Sequence, residues 1–392
     1  MPDEDQRQAS EPAATKTQRD PRPRRNPIIR GVIALLWLAS VTLLLALLAA
    51  FVFPLELDAD SRVYHRAAWV AFMVRTFSLH AAGVLGAMAL LALTLRAPRL
   101  TLAAFASALI GAGLAGVSPF PGAGRAVTAD NAGVTNTTEG ASAAESETRS
   151  QSGAPEFTLM TANLWAGLGN VAPTLEAIDL YQPDIILLQE YTTRQHARLA
   201  EALAAEYPYA IAEPREDFSG QGVYSRFPLR LESGRLIGPR GIAPLDSAKW
   251  ERQLCCVATI AGREVVVQNI HLPTAPMGRQ LLALHHQQVR QIRAWIAEEP
   301  RPVVMGGDFN CTPMSAEAGA IRAADLTDAH RAVGTGLGTT WGHSVAWPGF
   351  RIDHVYTRGL TPLACAVGPD IGSDHRPVIV RVRLDAAPAT GN

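Results

Sequence analysis

The chain has 392 residues, 35 Lys plus Arg against 36 Asp plus Glu, and four cysteines. A net charge of −1 gives no reason to expect a polyelectrolyte partner for the whole molecule. Cysteines at 255, 256, 311 and 365 are too few and too irregular for a disulfide scaffold or a zinc site of Cys-x-x-Cys pairs, although a single bridge stays open.

Residues 1–27 are polar and rich in arginine (Arg19, Arg22, Arg24, Arg25), which predicts a disordered tail. Residues 31–53 carry no charge and exceed the ~20 residues needed to cross a bilayer. The run is long for a signal-peptide core and two more apolar stretches follow, so it reads as a transmembrane helix. The second stretch spans 76–95, or starts at Ala67 if Arg75 snorkels or faces a partner helix. Arg96 and Arg99 bracket a turn, and the third stretch, 100–117, offers Gly111, Gly113 and Gly116 for close helix approach. A membrane region of three transmembrane helices (28–117) is therefore expected. The positive-inside bias makes the tail and the Arg96–Arg99 turn cytoplasmic and puts the rest of the chain on the exocytoplasmic side. If the third stretch did not insert, that soluble part would stay inside.

Residues 118–155, dominated by Gly, Ala, Ser, Thr and Asn, have linker composition. A compact α/β unit is expected over 156–386, followed by a disordered tail at 387–392. Strands are predicted at 157–162, 184–188, 222–225, 253–260, 264–270, before Asp308, and at 350–356, 362–367 and 377–384, with helices at 171–181, 192–206 and 277–298. Because helices do not alternate one for one with strands, mixed sheets fit better than a parallel wound sheet.

Polar residues recur at the ends of these strands. Asn163 ends the first, Glu190 the second and His271 the strand at 264–270; Asp308 and Asn310 follow Gly306 and Gly307 at the end of the next, and Asp374-His375 precede the last. Singly, each has an ordinary reading: Asn163 a turn cap, Glu190 a solvated charge, Asp308-Phe309-Asn310 an Asx turn. Asp353 differs, because a charge inside an apolar strand is costly unless paired, and His375 is the natural partner. A set of carboxylates, amides and histidines, without a Ser-His-Asp order or a Gly-rich phosphate loop, points to metal-assisted attack of water on a phosphate ester.

Seven pieces in order carry a resemblance: Thr161-Ala162-Asn163-Leu164, Leu187-Leu188-Gln189-Glu190, Gly222 to Pro228, Asn269-Ile270-His271-Leu272, Gly306 to Asn310, Arg351-Ile352-Asp353-His354 and Gly372 to Pro377. Together they resemble the endonuclease/exonuclease/phosphatase superfamily, which includes DNase I-like nucleases, abasic-site endonucleases, sphingomyelinases and inositol polyphosphate 5-phosphatases. The resemblance implies a four-layer α/β sandwich, two packed mixed sheets flanked by helices. It also implies that Glu190 binds a divalent cation, Mg²⁺ with Mn²⁺ as the alternative, and that Asn163 and Asp374 complete or orient that shell. Asp308 would orient and deprotonate the attacking water, and Asn310 would donate to a phosphate oxygen. His375, oriented by Asp353, would hold or protonate the phosphate, with His271 as a further phosphate or leaving-group contact.

Arg226 and Arg351 follow the family wording and read as structural or general electrostatic contributors. His285 and His286 read as surface or satisfied packing residues. Trp341 and Trp347 would either wall the cleft or be buried anchors. The substrate stays open between nucleic acid and lipid headgroups, with a non-catalytic membrane-anchored binding protein as a third reading. From Glu156 onward there are 21 Lys plus Arg against 24 Asp plus Glu, without the basic excess of a tight duplex binder. The membrane anchor raises the lipid case, and it could equally tether a nuclease that degrades external DNA.

Overall fold

A computed structural model describes residues 26–59, 61–114, 154–167, 169–232, 253–342 and 348–386. The tail before Asn26, the linker up to 153, the residues after 386, Gly116 and Trp347 lie outside the described residues.

Four helices come first: α1 (Pro27–Val52), α2 (Arg62–Thr76), α3 (Ser78–Thr94) and α4 (Pro98–Leu114). Among the described residues only α1, with 26 residues, is by itself long and apolar enough to cross a membrane. At 17 residues each, α3 and α4 are about 26 Å long at 1.5 Å per residue, less than the ~30 Å of a bilayer core. Among the described residues there is thus one helix of spanning length, or two if the bent pair α2 and α3 counts as one span, in place of the three full spans expected.

The second apolar stretch also divides. Residues from Ala67 to Thr76 belong to α2, which is bent by 60° from α3. Arg75 explains the break. Its guanidinium is buried and donates to the carbonyls of Ala50 (2.8 Å), Phe51 (3.3 Å) and Phe53 (3.0 Å) at the end of α1, where helix carbonyls lack their full set of intrahelical bonds. The arginine faces a partner helix, and α2 must lie across the end of α1 for it to do so. Small residues then bring α1, α3 and α4 together: a side-chain carbon added at Gly111 would meet Ala82 at 3.2 Å and Leu47 at 3.4 Å, whereas Gly113 touches nothing within 4 Å. Large apolar side chains such as Leu38, Leu45, Leu90, Leu102 and Phe105 face outward.

The remainder is an α/β unit with two mixed six-stranded sheets. The first contains β1 (Glu156–Asn163), β2 (Ile185–Gln189), β3 (Tyr209–Glu213), β4 (Gln221–Ser225), β11 (Leu360–Val367) and β12 (Val378–Leu384), in the order β11-β12-β1-β2-β4-β3. The second contains β5 (Leu229–Leu231), β6 (Cys255–Ile260), β7 (Arg263–His271), β8 (Val303–Asp308), β9 (Thr327–Asp328) and β10 (Asp353–Arg358), in the order β5-β6-β7-β8-β10-β9. In each sheet one parallel pair, β1/β2 or β7/β8, lies between antiparallel neighbours. This shared pairing pattern is an internal symmetry with no counterpart in the residues.

Alternation along the strands assigns each face. On β2, Ile185 and Leu187 enter the core between the sheets, while Ile186 and Leu188 pack outward against α5 (Ala172–Tyr181) and α6 (Thr193–Leu203). On β8, Val304 faces the inter-sheet core, whereas Val303 and Met305 face α7 (Arg279–Glu298) and α8 (Ala316–Arg322). Ala68 and Phe72 of α2 join that last core, and Trp69 Nε1 donates to the carbonyl of Ala275 at 3.2 Å. The helical region and the α/β unit therefore share packing. His285 and His286 are buried within it, His286 Nε2 lying 2.7 Å from Glu317 Oε1 and His285 Nδ1 3.0 Å from Pro273 O. They are buried packing residues, not surface ones, each with one ring nitrogen bonded and the other without a hydrogen-bond partner. All four cysteines are buried and none is in a disulfide, which closes the question of a bridge.

The short helix α9 (Ala329–Val333) follows Asp328, whose carboxylate accepts both guanidinium nitrogens of Arg351 at 2.8 and 2.9 Å. Burial opposes ionisation of Asp328, but Arg351 outweighs it and holds the carboxyl well below its ordinary 3.8. This contribution to stability is present above pH 3.8 and is lost as pH falls below it. Arg226 is structural too, donating to Gln182 O (3.1 Å) and Glu206 Oε2 (3.0 Å). Arg351→Met should destabilise the protein by about 3–5 kcal/mol, because it strands a buried carboxylate. Urea denaturation at pH 7 measures this, and the gap between variant and wild type should narrow as pH falls toward 3.

Candidate active site

The C-terminal ends of the two parallel pairs lie on one side of the sandwich, and the candidate residues sit there. Pairing register does the placing: β7 and β8 align His271 with Asp308, and β8 and β10 align Asp308 with Asp353. Three ionisable side chains thus share one rung and one face. On the other sheet β1 and β2 align Asn163 with Gln189, one residue before Glu190.

Gly306 and Gly307 permit the approach. A side-chain carbon at Gly307, whose φ is +147°, would meet the Ile270 carbonyl oxygen at 1.9 Å; one at Gly306 would meet Leu187 of the opposite sheet at 2.9 Å.

Asn163 joins the sheets. Its Nδ2 donates to Glu190 Oε1 (3.2 Å) and Asp308 Oδ2 (3.1 Å), and its Oδ1 accepts from Trp165 N (2.9 Å). Glu190 Oε2 accepts from Ala166 N at 2.9 Å, and the carboxylate is 18 % exposed. His375 Nδ1 lies 2.8 Å from Asp353 Oδ2, and its Nε2 lies 3.8 Å from Asp308 Oδ2. His271 Nε2 stands 3.7 Å from Asp308 Oδ2 and 3.9 Å from Glu190 Oε1.

Two predicted residues sit differently. Asn310 spends both amide hydrogens inside the protein, on Leu272 O (2.9 Å) and Asp308 Oδ2 (3.2 Å). Asp374 is exposed and its Oδ2 accepts from Trp341 Nε1 at 3.0 Å. Trp341 is half-buried against Phe350.

Glu190, Asn310 and Trp165 all have left-handed φ values, of 53°, 48° and 53°. Non-glycine residues rarely adopt them, and three at one site mark a backbone held by its surroundings.

Electrostatics follow from burial. Burial pushes the Asp308 carboxyl up to about 8, with His375 opposing and Asp353 adding to the shift. Burial alone would lower His375, but Asp353 and Asp308 outweigh it and favour the imidazolium. His271 is lowered by burial, against the pull of Glu190. Asp308, Asp353 and His375 each present one ligand atom, all within 4.8 Å of one another, so these three form a possible metal site. That set differs from the predicted Glu190, Asn163 and Asp374. His375 Nδ1 already faces Asp353, whereas Glu190 and Asp308 present carboxylate oxygens around one amide, the donor type that suits a hard divalent ion.

A belt of buried amides behind the site was not read from the residues. Gln189 Nε2 donates to Asn269 Oδ1 (2.7 Å), and Asn269 Nδ2 donates to Leu188 O (2.9 Å), joining the sheets. Gln253 holds the backbone of His271 on both sides: its Oε1 accepts from His271 N (2.6 Å) and its Nε2 donates to His271 O (2.7 Å). Thr340 Oγ1 accepts from Asp353 N at 3.2 Å, and Ser373 Oγ accepts from His375 N at 3.1 Å. An amide on a predicted strand looks like a solvent-facing residue, so only the neighbouring motif residues hinted at Gln189 and Asn269. Gln253→Leu, which leaves the His271 backbone groups unpaired, should cost about 1–3 kcal/mol per stranded group in urea denaturation.

The model of the Endonuclease/Exonuclease/phosphatase family matches residues 160–375, more than half of the chain. Among curated proteins none matches. Solved structures similar to this chain include an endonuclease/exonuclease/phosphatase family protein from Bacteroides thetaiotaomicron, at 17 % identity, covering 59 % of this chain and 99 % of that one with a TM-score of 0.47. A humanized D. rerio TDP2 carrying 14 mutations is 17 % identical, with 58 % and 99 % covered and a TM-score of 0.45. A 3′-5′ exonuclease (NExo) from Neisseria meningitidis is 17 % identical, with 58 % and 100 % covered and a TM-score of 0.43.

Proposed function

The chain belongs to the endonuclease/exonuclease/phosphatase family, and from that membership we propose a membrane-anchored phosphoesterase that uses a divalent metal to hydrolyse a phosphodiester or phosphomonoester. The observation that carries the chemistry is the line Asp353–His375–Asp308, at 2.8 and 3.8 Å, beside Asn163 and Glu190.

Asp308 is the group that takes a proton from the attacking water. Burial raises its carboxyl toward neutral pH, where a general base works best. Asp353 orients His375, and the imidazolium held between two carboxylates neutralises charge on the phosphate and returns a proton to the leaving oxygen. Asn310, with both amide hydrogens engaged, positions Asp308 in this arrangement; to donate to a phosphate it must release Leu272 O or Asp308. His271 faces both Glu190 and Asp308 and is placed to contact phosphate.

The donor set fits Mg²⁺ or Mn²⁺: Glu190 is the partly exposed carboxylate, Asn163 orients it, and buried like charges at Asp308 and Asp353 favour a cation nearby. Such an ion supplies Lewis-acid polarisation of the phosphate. Asp374, whose Oδ2 accepts from Trp341, keeps its other carboxylate oxygen for the shell.

For placement, α1 crosses the bilayer and the hairpin of α3 and α4 completes three crossings, with the catalytic unit exocytoplasmic. Protease added to intact cells should then cleave the unit from Glu156 onward; full protection would put it in the cytoplasm and sink this topology.

A nucleic acid and a lipid headgroup both offer the phosphoester, and one observation favours the lipid. Thr312 to Met314, just after Asn310, and Phe350 and Arg351, just before Asp353, line a small cavity with Thr76, Ser78, Leu79 and His80 of the helical region. The catalytic edge therefore rests on the helices that would enter the membrane. The full chain with Mg²⁺ should cleave a lipid phosphoester in a panel of DNA, RNA, phosphoinositide and sphingomyelin. EDTA should abolish turnover and Mg²⁺ or Mn²⁺ restore it, and Asp308→Ala should lose at least ~10²-fold. No cleavage across the panel, or an Asp308→Ala protein as active as wild type, refutes the enzyme reading.

A further inference from the structure

A cavity of about 330 Å³ lies between the starts of α2 and α7, lined by Arg62, His65, Arg279, Gln280 and Ala283. None of these belongs to the catalytic cluster. Two guanidinium groups and an imidazole converge from two helices, and among the described residues no carboxylate lines the cavity. Neither helix has an acidic residue in its first turn to neutralise them. We propose that this cavity binds a phosphate group, the shared chemistry of an anionic phospholipid headgroup and of free phosphate.

Its position favours the lipid. At 26 residues, α1 is about 39 Å long, so an α1 that crosses a ~30 Å hydrocarbon core ends among the headgroups. The first turn of α2 is tied to that level: Tyr64 Oη accepts from Glu56 N at 2.6 Å and donates to Pro54 O at 3.2 Å, one turn of chain beyond α1. Arg75 ties the other end of α2 to the last carbonyls of α1. The helix thus lies along the surface. Beside Arg62 and Arg279 stand two apolar side chains, Val63, 75 % exposed, and Met277, 77 % exposed. Cations flanked by exposed apolar groups are the composition that an interfacial site presents to anionic lipid. Further along the same face of α2 the catalytic unit is held by Ala68 and Phe72, and before the helix by the Asp58–Arg290 ion pair. A headgroup bound here would fix the catalytic unit against the membrane.

The proposal rests on the membrane placement given above and not on the hydrolytic chemistry. Its test uses the full chain in neutral detergent micelles, with dihexanoyl phosphatidylglycerol, dihexanoyl phosphatidylcholine and inorganic phosphate as probes. Binding is read by calorimetry. Phosphatidylglycerol should bind wild type and Asp308→Ala protein alike, which separates this cavity from the active site. Arg62→Gln with Arg279→Gln should weaken that binding on the order of 10-fold. Ala283→Trp, which fills the cavity and keeps the charges, should weaken it too, so a folding defect in one variant does not decide the outcome. Phosphatidylglycerol binding without competition by inorganic phosphate supports the lipid source; competition by phosphate supports the free anion. Equal affinity in wild type and both variants, or equal affinity for phosphatidylcholine, overturns the proposal.

Discussion

His271, Asp308 and Asp353 stand on one rung of the second sheet, and the rest of the structure accommodates that constraint. Two carboxylates and an imidazole in a buried row are unfavourable by desolvation and by like-charge repulsion. The fold offsets this with His375 from the segment before β12 and with Asn163 from the end of β1, both brought in from the opposite sheet. Those two side chains reach the rung because the sheets approach closely there, and the approach depends on Gly306, while Gly307 lets β8 lie against Ile270 of β7. The charged site and the tight packing beneath it are one feature.

Behind the rung, the sheets are joined by side-chain amides as well as by apolar contacts. Gln189, Asn269, Gln221 and Gln253 satisfy one another and the strand carbonyls, so the site rests on directional bonds with little slack. The Asp328–Arg351 pair does the same work two residues from Asp353, fixing the start of β10. In the helical region the arrangement runs on through Arg75, which closes the end of α1, and through α2, whose far side packs on α7. From the first apolar helix to the catalytic edge the contacts form a continuous chain.

Much of this was legible in the residues. Buried strands such as β2 and β8 are short apolar runs, and α7 is a long amphipathic one, so both declared themselves. Three strands went unread: β3 has no fully buried residue and no alternation, β5 has three residues and β9 two, too short for any periodicity. The main reading of the second apolar stretch, 76–95, falls on α3; its extension back to Ala67 does not hold, because those residues belong to α2, which Arg75 ties to the end of α1. Asp328 gave no sign of being the partner of Arg351, since nothing local connects two residues 23 positions apart. The amide belt was hidden for a related reason: a glutamine at a strand position looks the same whether it faces water or another sheet.

The sequence by itself determined an apolar N-terminal helix, an α/β unit, and polar residues at the ends of buried strands in an order that marks a family. Those are local properties of run length, periodicity and spacing. Tertiary structure alone decided which of these residues meet. Register between β7, β8 and β10 set the rung, the facing sheets added Asn163 and His375, and α2 packed the second sheet's helices against the apolar helices. Register and docking depend on packing between segments far apart in the chain, and no local stretch carries that information.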